Sequence, residues 1–322
     1  MQRISLRSFL ITLLVILVIM TLILLYLYYI LSQPPGMPAY QTRQLKPLFS
    51  IYGFGTKEEQ MLYRPTDVSF DTEGNIYIAD TGRARILEFR SSGQFIRKIG
   101  KKGLNAGELI EPVGVTVAKD GRIFVADKAL NKVVVYNNDG RFKREFRVMY
   151  PIKPLIANGK LYLTTYGHVI TYDLEGRKLS EWAQKGRKEG YVDSPTGIAV
   201  NKNGSVYVSD TLNLRLEAFS REGDLLWVKG QPAKDIKAQN RTFGLPCGLT
   251  IDDKNRLFLI DAFDNAIRVL NTNGKQIAVL GKEGSREGQL KLPSGIAYDQ
   301  NGIFAVADKF NDRVQIVKII IE

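Results

Sequence analysis

Little in this sequence can hold a metal or a disulfide. Its 322 residues include one Cys, Cys247, and one His, His168. A single thiol excludes a disulfide framework and a Cys-rich zinc site. A single imidazole excludes a multi-histidine metal centre. Two further absences mark the N-terminus. Residues 1–31 contain no acid, and residues 9–31, FLITLLVILVIMTLILLYLYYIL, contain no charge. At helical rise those residues span about 35 Å, against a bilayer core of about 30 Å. The apolar run is longer than a signal-peptide core, so it reads as a retained signal anchor. Arg3 and Arg7 precede it, and no base follows until Arg43. The positive-inside rule then places the N-terminus in the cytoplasm and everything after the helix outside. Residues 32–45 contain three prolines and read as a short, stiff juxtamembrane linker.

The remainder is dominated by a repeat. Prolines 65, 112, 154, 195, 246 and 293 each open a short apolar stretch, a second strand ending in Asp, and a third strand led by Arg or Lys. PTGIAVNKNGSVYVSDTLNLRLEAF, from Pro195, is one complete copy. The copy at Pro154 is degenerate. A period of 40–50 residues with several short strands per unit is the signature of a β-propeller. The second strands are apolar on both faces (Ile76-Tyr77-Ile78, Ile123-Phe124-Val125), as strands sandwiched between neighbouring blades must be. The last copy stops after three strands, and the segment from Lys46 supplies a fourth that would close the ring. The fold class is therefore all-β, a six-bladed propeller over residues 46–322, preceded by a cytoplasmic tip and one transmembrane signal anchor within residues 1–31.

The linkers GKKGLNAGELIEP (100–112), QKGRKEGYVDSP (184–195) and GKEGSREGQLKLP (281–293) complete the pattern. Together with the Gly of the first strand, the Asp of the second and the base five residues on, they strongly resemble the NHL repeat. With the anchor, the whole resembles the membrane-anchored bacterial type. The resemblance implies a six-bladed propeller used mostly as a binding platform. Bacterial members include extracytoplasmic sensor domains of receptor Ser/Thr kinases, and some animal members bind RNA.

Several residues stand out. Asp80, Asp127, Asp210, Asp261 and Asp308 end second strands. Arg85, Lys132, Arg215 and Arg313 follow four of them by five residues, and Arg268 lies seven after Asp261. The third copy has lost both members together, with Thr165 and His168 in their places. This joint loss points to structural Asp–base pairs that fasten turns through charge-assisted hydrogen bonds, rather than to a ring of metal ligands. Asp67 replaces the Gly of other copies and should project into the central channel. It reads as a lone solvated acid or as a group that orients a ligand. His168 has no carboxylate close in sequence, and Cys247 has no base near it, so neither reads as catalytic. The linker before the fifth copy is long and basic through Lys234, Lys237 and Arg241, a candidate partner contact. These six residues form the speculative binding set, and neither a metal nor a cofactor is expected.

The net charge of +12 falls to +10 without Arg3 and Arg7. It favours anionic neighbours: a wall or lipid polymer, or an acidic protein, at the outer membrane-facing surface. The expected function is a non-catalytic, membrane-anchored, extracytoplasmic binding or scaffold module. The alternatives are a metal-dependent lactonase or lyase-like enzyme and, less favoured, a nucleic-acid-binding domain. The histidine-ligated lyase type is excluded by the single His. An acid-ligated lactonase would need more acids than Asp67 on the innermost strands.

Overall fold

The computed structural model describes residues 20, 21, 24, 43–231 and 241–321. The expected anchor and linker therefore lie outside the described residues, apart from Met20, Thr21 and Leu24, which are helical. Among the described residues no helix is long and apolar enough to cross a membrane.

Residues 43–321 form six four-stranded antiparallel sheets. The first strand, β1 (Arg43–Ile51), belongs to the last sheet. Blade one is β2 (Asp67–Phe70), β3 (Ile76–Asp80), β4 (Arg85–Phe89) and β5 (Phe95–Ile99). Blade two is β6 (Pro112–Val117), β7 (Ile123–Asp127), β8 (Lys132–Tyr136) and β9 (Phe142–Arg147). Blade three is β10 (Pro151–Ala157), β11 (Lys160–Thr165), β12 (Val169–Tyr172) and β13 (Lys178–Trp182). Blade four is β14 (Gly197–Val200), β15 (Val206–Asp210), β16 (Arg215–Phe219) and β17 (Leu225–Gly230). Blade five is β18 (Pro246–Ile251), β19 (Arg256–Asp261), β20 (Ala266–Asn271) and β21 (Gln276–Leu280). Blade six is β22 (Ile296–Tyr298), β23 (Ile303–Asp308) and β24 (Arg313–Ile321), completed by β1. β1 and β24 pair from Arg43↔Ile321 to Ile51↔Val314, so the ring closes and β24 keeps no free edge.

The core is divided like the fold. Six apolar clusters each bridge two adjacent blades. Val68, Ile76 and Leu87 of blade one pack with Ala305, Val314 and Ile316 of blade six across the closure. Phe258, Ile260 and Ile267 of blade five meet Phe304, Val306 and Val317 of blade six. The middle strands contribute to clusters on both sides, which is why they lack polar–apolar alternation.

The innermost strands approach so closely that their third residue is usually glycine. A Cβ on Gly197 would lie 2.3 Å from the Cys247 carbonyl oxygen of the next blade, and one on Gly248 would lie 2.4 Å from that of Ser294. Blade three departs from the expected register. Pro151, not Pro154, pairs with Thr165, just as Pro112 pairs with Asp127. The repeat in this blade therefore starts three residues earlier than the proline spacing suggests. The second proline misled because it too lies on the inner strand. In the corrected register Lys153 occupies the glycine position.

Candidate functional site

The Asp residues that end the second strands hold the linkers that lead into their own blades. Each accepts the N–H two residues before the blade's proline: Tyr63 to Asp80 (2.8 Å), Ile110 to Asp127 (2.7 Å), Asp193 to Asp210 (2.7 Å) and Lys291 to Asp308 (2.7 Å). Gly244 does the same to Asp261, at 2.9 Å. The Arg partner completes the clamp. Arg215 donates Nε to Asp210 (2.8 Å) and its other nitrogens to the carbonyls of Arg187, Lys188 and Tyr191. Arg85 and Arg313 do likewise in blades one and six. Arg268 reaches Asp261 at 2.6 Å. The acid thus takes linker donors while the guanidinium takes linker acceptors, a division that only a planar fork can make.

Lys132 breaks the expected pairing. Its ammonium bonds Glu145 on β9 at 2.8 Å, and Asp127 is satisfied instead by the N–H groups of Ile110, Glu111 and Leu130. A single point donor cannot span acid and linker together, so it turns to the nearest carboxylate. A second latch was not anticipated from sequence. Asn131, Asn265 and Asp312 adopt left-handed φ of 50–51° and accept the N–H just before the next blade's proline, from Tyr150, Leu292 and Arg64. Asn and Asp tolerate that conformation well, and their place directly before the third strand was the available signal.

Asp67 is neither lone nor solvated. It is buried, and Lys153 Nζ bonds both its oxygens at 2.6 and 2.7 Å while the Val115 N–H donates at 2.9 Å. Asp67 and Lys153 occupy the glycine position in blades one and three, and they join across Gly114 of blade two. A Cβ on Gly114 would lie 2.4 Å from the Ile152 carbonyl oxygen. Glycine there leaves room for the ion pair to form beside it. Desolvation raises the Asp67 pKa, opposed by Lys153. The pair could be suspected from sequence only after the blade-three register is corrected.

His168 lies outside this axis. Its Nδ1 is 3.0 Å from Glu181 and 3.1 Å from the Ala183 carbonyl oxygen, so a carboxylate does neighbour it, supplied by β13 across the sheet. Arg241 bonds Asp264 at 2.7 Å, which ties it to blade five. Lys234 and Lys237 lie outside the described residues.

The residues after the six prolines (Thr66, Val113, Ile152, Thr196, Cys247 and Ser294) line a cavity of about 500 Å³ at one mouth of the central channel. Their hydroxyls are largely spent in stitching blades: Thr66 donates to the Val113 carbonyl oxygen and Ser294 to that of Thr66. Burial pushes the Cys247 thiol up to about 12, so it is not a thiolate at neutral pH. Above this floor stand Tyr63, Arg64, Lys128, Lys309 and Phe310. Among the described residues no group of three His, Cys, Asp or Glu side chains could hold a metal ion.

Sheet order, closure and inner ring define a six-bladed β-propeller, and a family model described as 6-bladed beta-propeller matches residues 49–176. The NHL repeat model matches residues 193–219, so that stretch resembles an NHL repeat. NHL repeat-containing protein 3 of Mus musculus is 25% identical over 174 residues, covering 49% of this chain and 48% of the relative. The E3 ubiquitin-protein ligase TRIM32 of Homo sapiens is 25% identical over 136 residues, covering 40% and 20% respectively. The chain thus spans about half the length, or less, of these curated relatives. Among solved structures, the gluconolactonase XC5397 of Xanthomonas campestris superposes with a TM-score of 0.63 at 14% identity, covering 89% of this chain and 99% of that one. Virginiamycin B lyase of Staphylococcus aureus gives 0.58 at 15%, covering 87% and 100%. At these identities the likeness is one of fold.

Two predictions follow from the buried charges. Lys153→Met leaves Asp67 buried without its cation and should cost about 3–5 kcal/mol. Adding Asp67→Asn should recover part of that loss in a denaturant double-mutant cycle, whereas strict additivity would contradict the coupling. The second concerns Glu217, which is fully buried and pushed up to about 7, first by desolvation and then, against the pull of Arg215, by Asp210. Its Oε2 finds no partner among the described residues. Blade six carries Gln315 in its place, whose amide bonds Asp308 (3.0 Å) and the Gln289 carbonyl oxygen (2.6 Å). The native state therefore holds the Glu217 proton more tightly than the unfolded chain does. Stability is lost as pH rises from about 4.5 to 7, by up to about 3 kcal/mol. Unfolding measured across that range should show the advantage of Glu217→Gln growing with pH and then levelling off. A constant difference would contradict this.

Proposed function

We propose that this protein is a non-catalytic, membrane-anchored, extracytoplasmic binding module whose recognition face is the loop-rich channel mouth. The observation that carries this reading is the rim of the mouth. The loops after the second strands of blades three to six expose Tyr166, Leu212, Phe263 and Phe310, and Tyr63 joins them, each 41–56 % exposed. Half-exposed apolar side chains, mostly aromatic, set around a cavity fit a surface kept for a partner, since aromatic side chains dominate contact energy at interfaces. The uncharged run at residues 9–31 supports the anchor, and Arg3 and Arg7 support export of the propeller.

The competing lactonase reading draws on the fold shared with XC5397. It is disfavoured by chemistry at the axis. Asp67 is already neutralised by Lys153, Cys247 is held as a thiol, and the single His does not line the cavity. Among the described residues the exposed aromatics ring one opening rather than run along a basic groove, which disfavours the nucleic-acid reading.

Orientation can be tested with epitope tags at both ends of the full chain and protease added to intact cells. The C-terminal tag should be cleaved and the N-terminal tag protected. A C-terminal tag that survives until the cells are lysed would contradict the extracytoplasmic placement.

A further inference from the structure

The mouth cavity is lined by four bases, Arg64, Lys128, Lys153 and Lys309, and two acids, Asp67 and Glu111. Lys153 and Asp67 satisfy each other at 2.6 Å. That leaves three cations facing one carboxylate. Among the described residues no carboxylate lies in ion-pair contact with Arg64, Lys128 or Lys309, whereas the clamp bases Arg85, Arg215, Arg268 and Arg313 are each paired with an acid. Instead, Arg64 rests over the rings of Tyr63 and Phe310, at 5.3 and 5.6 Å, and Lys309 lies 6.0 Å from the same Phe310 ring. Two cations share one exposed ring with no counter-ion between them. The left-handed φ of Arg64 (50°) carries no weight here, because Ser194 and Leu292 share it at the equivalent position.

Resting on the reading of the mouth as the recognition face, we propose that its occupant is an acidic polypeptide segment of a partner protein. Its carboxylates would sit on Arg64, Lys128 and Lys309, and its apolar side chains would lie on the rim. Charge complementarity fixes the sign of the ligand. A cavity of about 500 Å³ could hold a small anion alone, but the exposed rim reaches beyond the cavity into blades three, four and five. Exposed aromatic side chains with an Arg stacked on two of them match the composition of protein interfaces. A nucleic acid would want cations spread along a track of phosphates, whereas these three converge on one opening beside Glu111.

The test is selection of a displayed random dodecapeptide library on the immobilised full chain in detergent. Enriched sequences should combine Asp or Glu with apolar residues. A synthetic peptide of the leading sequence should bind at least about tenfold more weakly to the triple variant Arg64→Gln, Lys128→Gln, Lys309→Gln. Lys98→Gln with Lys143→Gln, on outer strands, should leave binding unchanged, and all variants should melt like the parent. No enrichment, or enrichment without acids, overturns the acidic ligand. If non-acidic peptides are lost with Phe310→Ser and Tyr166→Ser, the mouth survives as the recognition face and only the ligand class fails. If binding survives every mouth variant, both fail. A single-stranded oligonucleotide that displaces the peptide would overturn the proposal in favour of nucleic acid.

Discussion

A propeller with short inner strands must hold its linkers still, because the linkers are the only covalent joints between blades. Here that is done by a carboxylate and a guanidinium acting together on the backbone. Each Asp at the end of a second strand receives linker N–H groups, and Arg85, Arg215 and Arg313 receive the carbonyls. Both charges are buried, and each is compensated by the other and by peptide dipoles. Such a pair is strongly destabilising to break from one side, because it leaves a buried charge without a partner. Its regular recurrence marks it as architecture. Blade two, with Lys132 turned to Glu145, shows what the clamp becomes when the fork is missing: the Asp keeps the linker donors and the base goes elsewhere.

With the linkers fixed, the inner strands can meet at glycine distance around the axis. Four of the six positions there are Gly114, Gly197, Gly248 and Gly295. The other two hold Asp67 and Lys153, which bond across blade two. The same pairing that ties three blades also neutralises Asp67. The mouth is otherwise lined by Arg64, Lys128, Lys309 and Glu111, with Tyr63 and Phe310 beside them.

Most of the architecture could be read from the chain. Period, strand count, closure by the N-terminal strand and the Asp–Arg pairing are local patterns repeated in one chain, and repetition averages out their ambiguity. The site was less legible. Lys153 was hidden because Pro154 offered a plausible but shifted register, and the pairing of Pro151 with Thr165 is a long-range fact. Glu181 reaches His168 across a strand pair, which sequence neighbours do not show, and Asn131, Asn265 and Asp312 act on the next blade, marked in sequence only by their place directly before a third strand. The rim was missed because each exposed aromatic is unremarkable alone and becomes a surface only when the loops are gathered on one face.

In blades one, four and six the guanidinium fork, not the charge alone, fastens the linker. Hydrogen exchange of the linker amides at residues 186–194 in Arg215→Lys tests it most directly. Lysine keeps the charge but cannot reach Asp210 and three carbonyls at once. Exchange in that linker should be at least about tenfold faster, with the amides of β15 and of the other blades unchanged. Unaltered linker exchange, or a uniform loss of protection through the whole propeller, would contradict it.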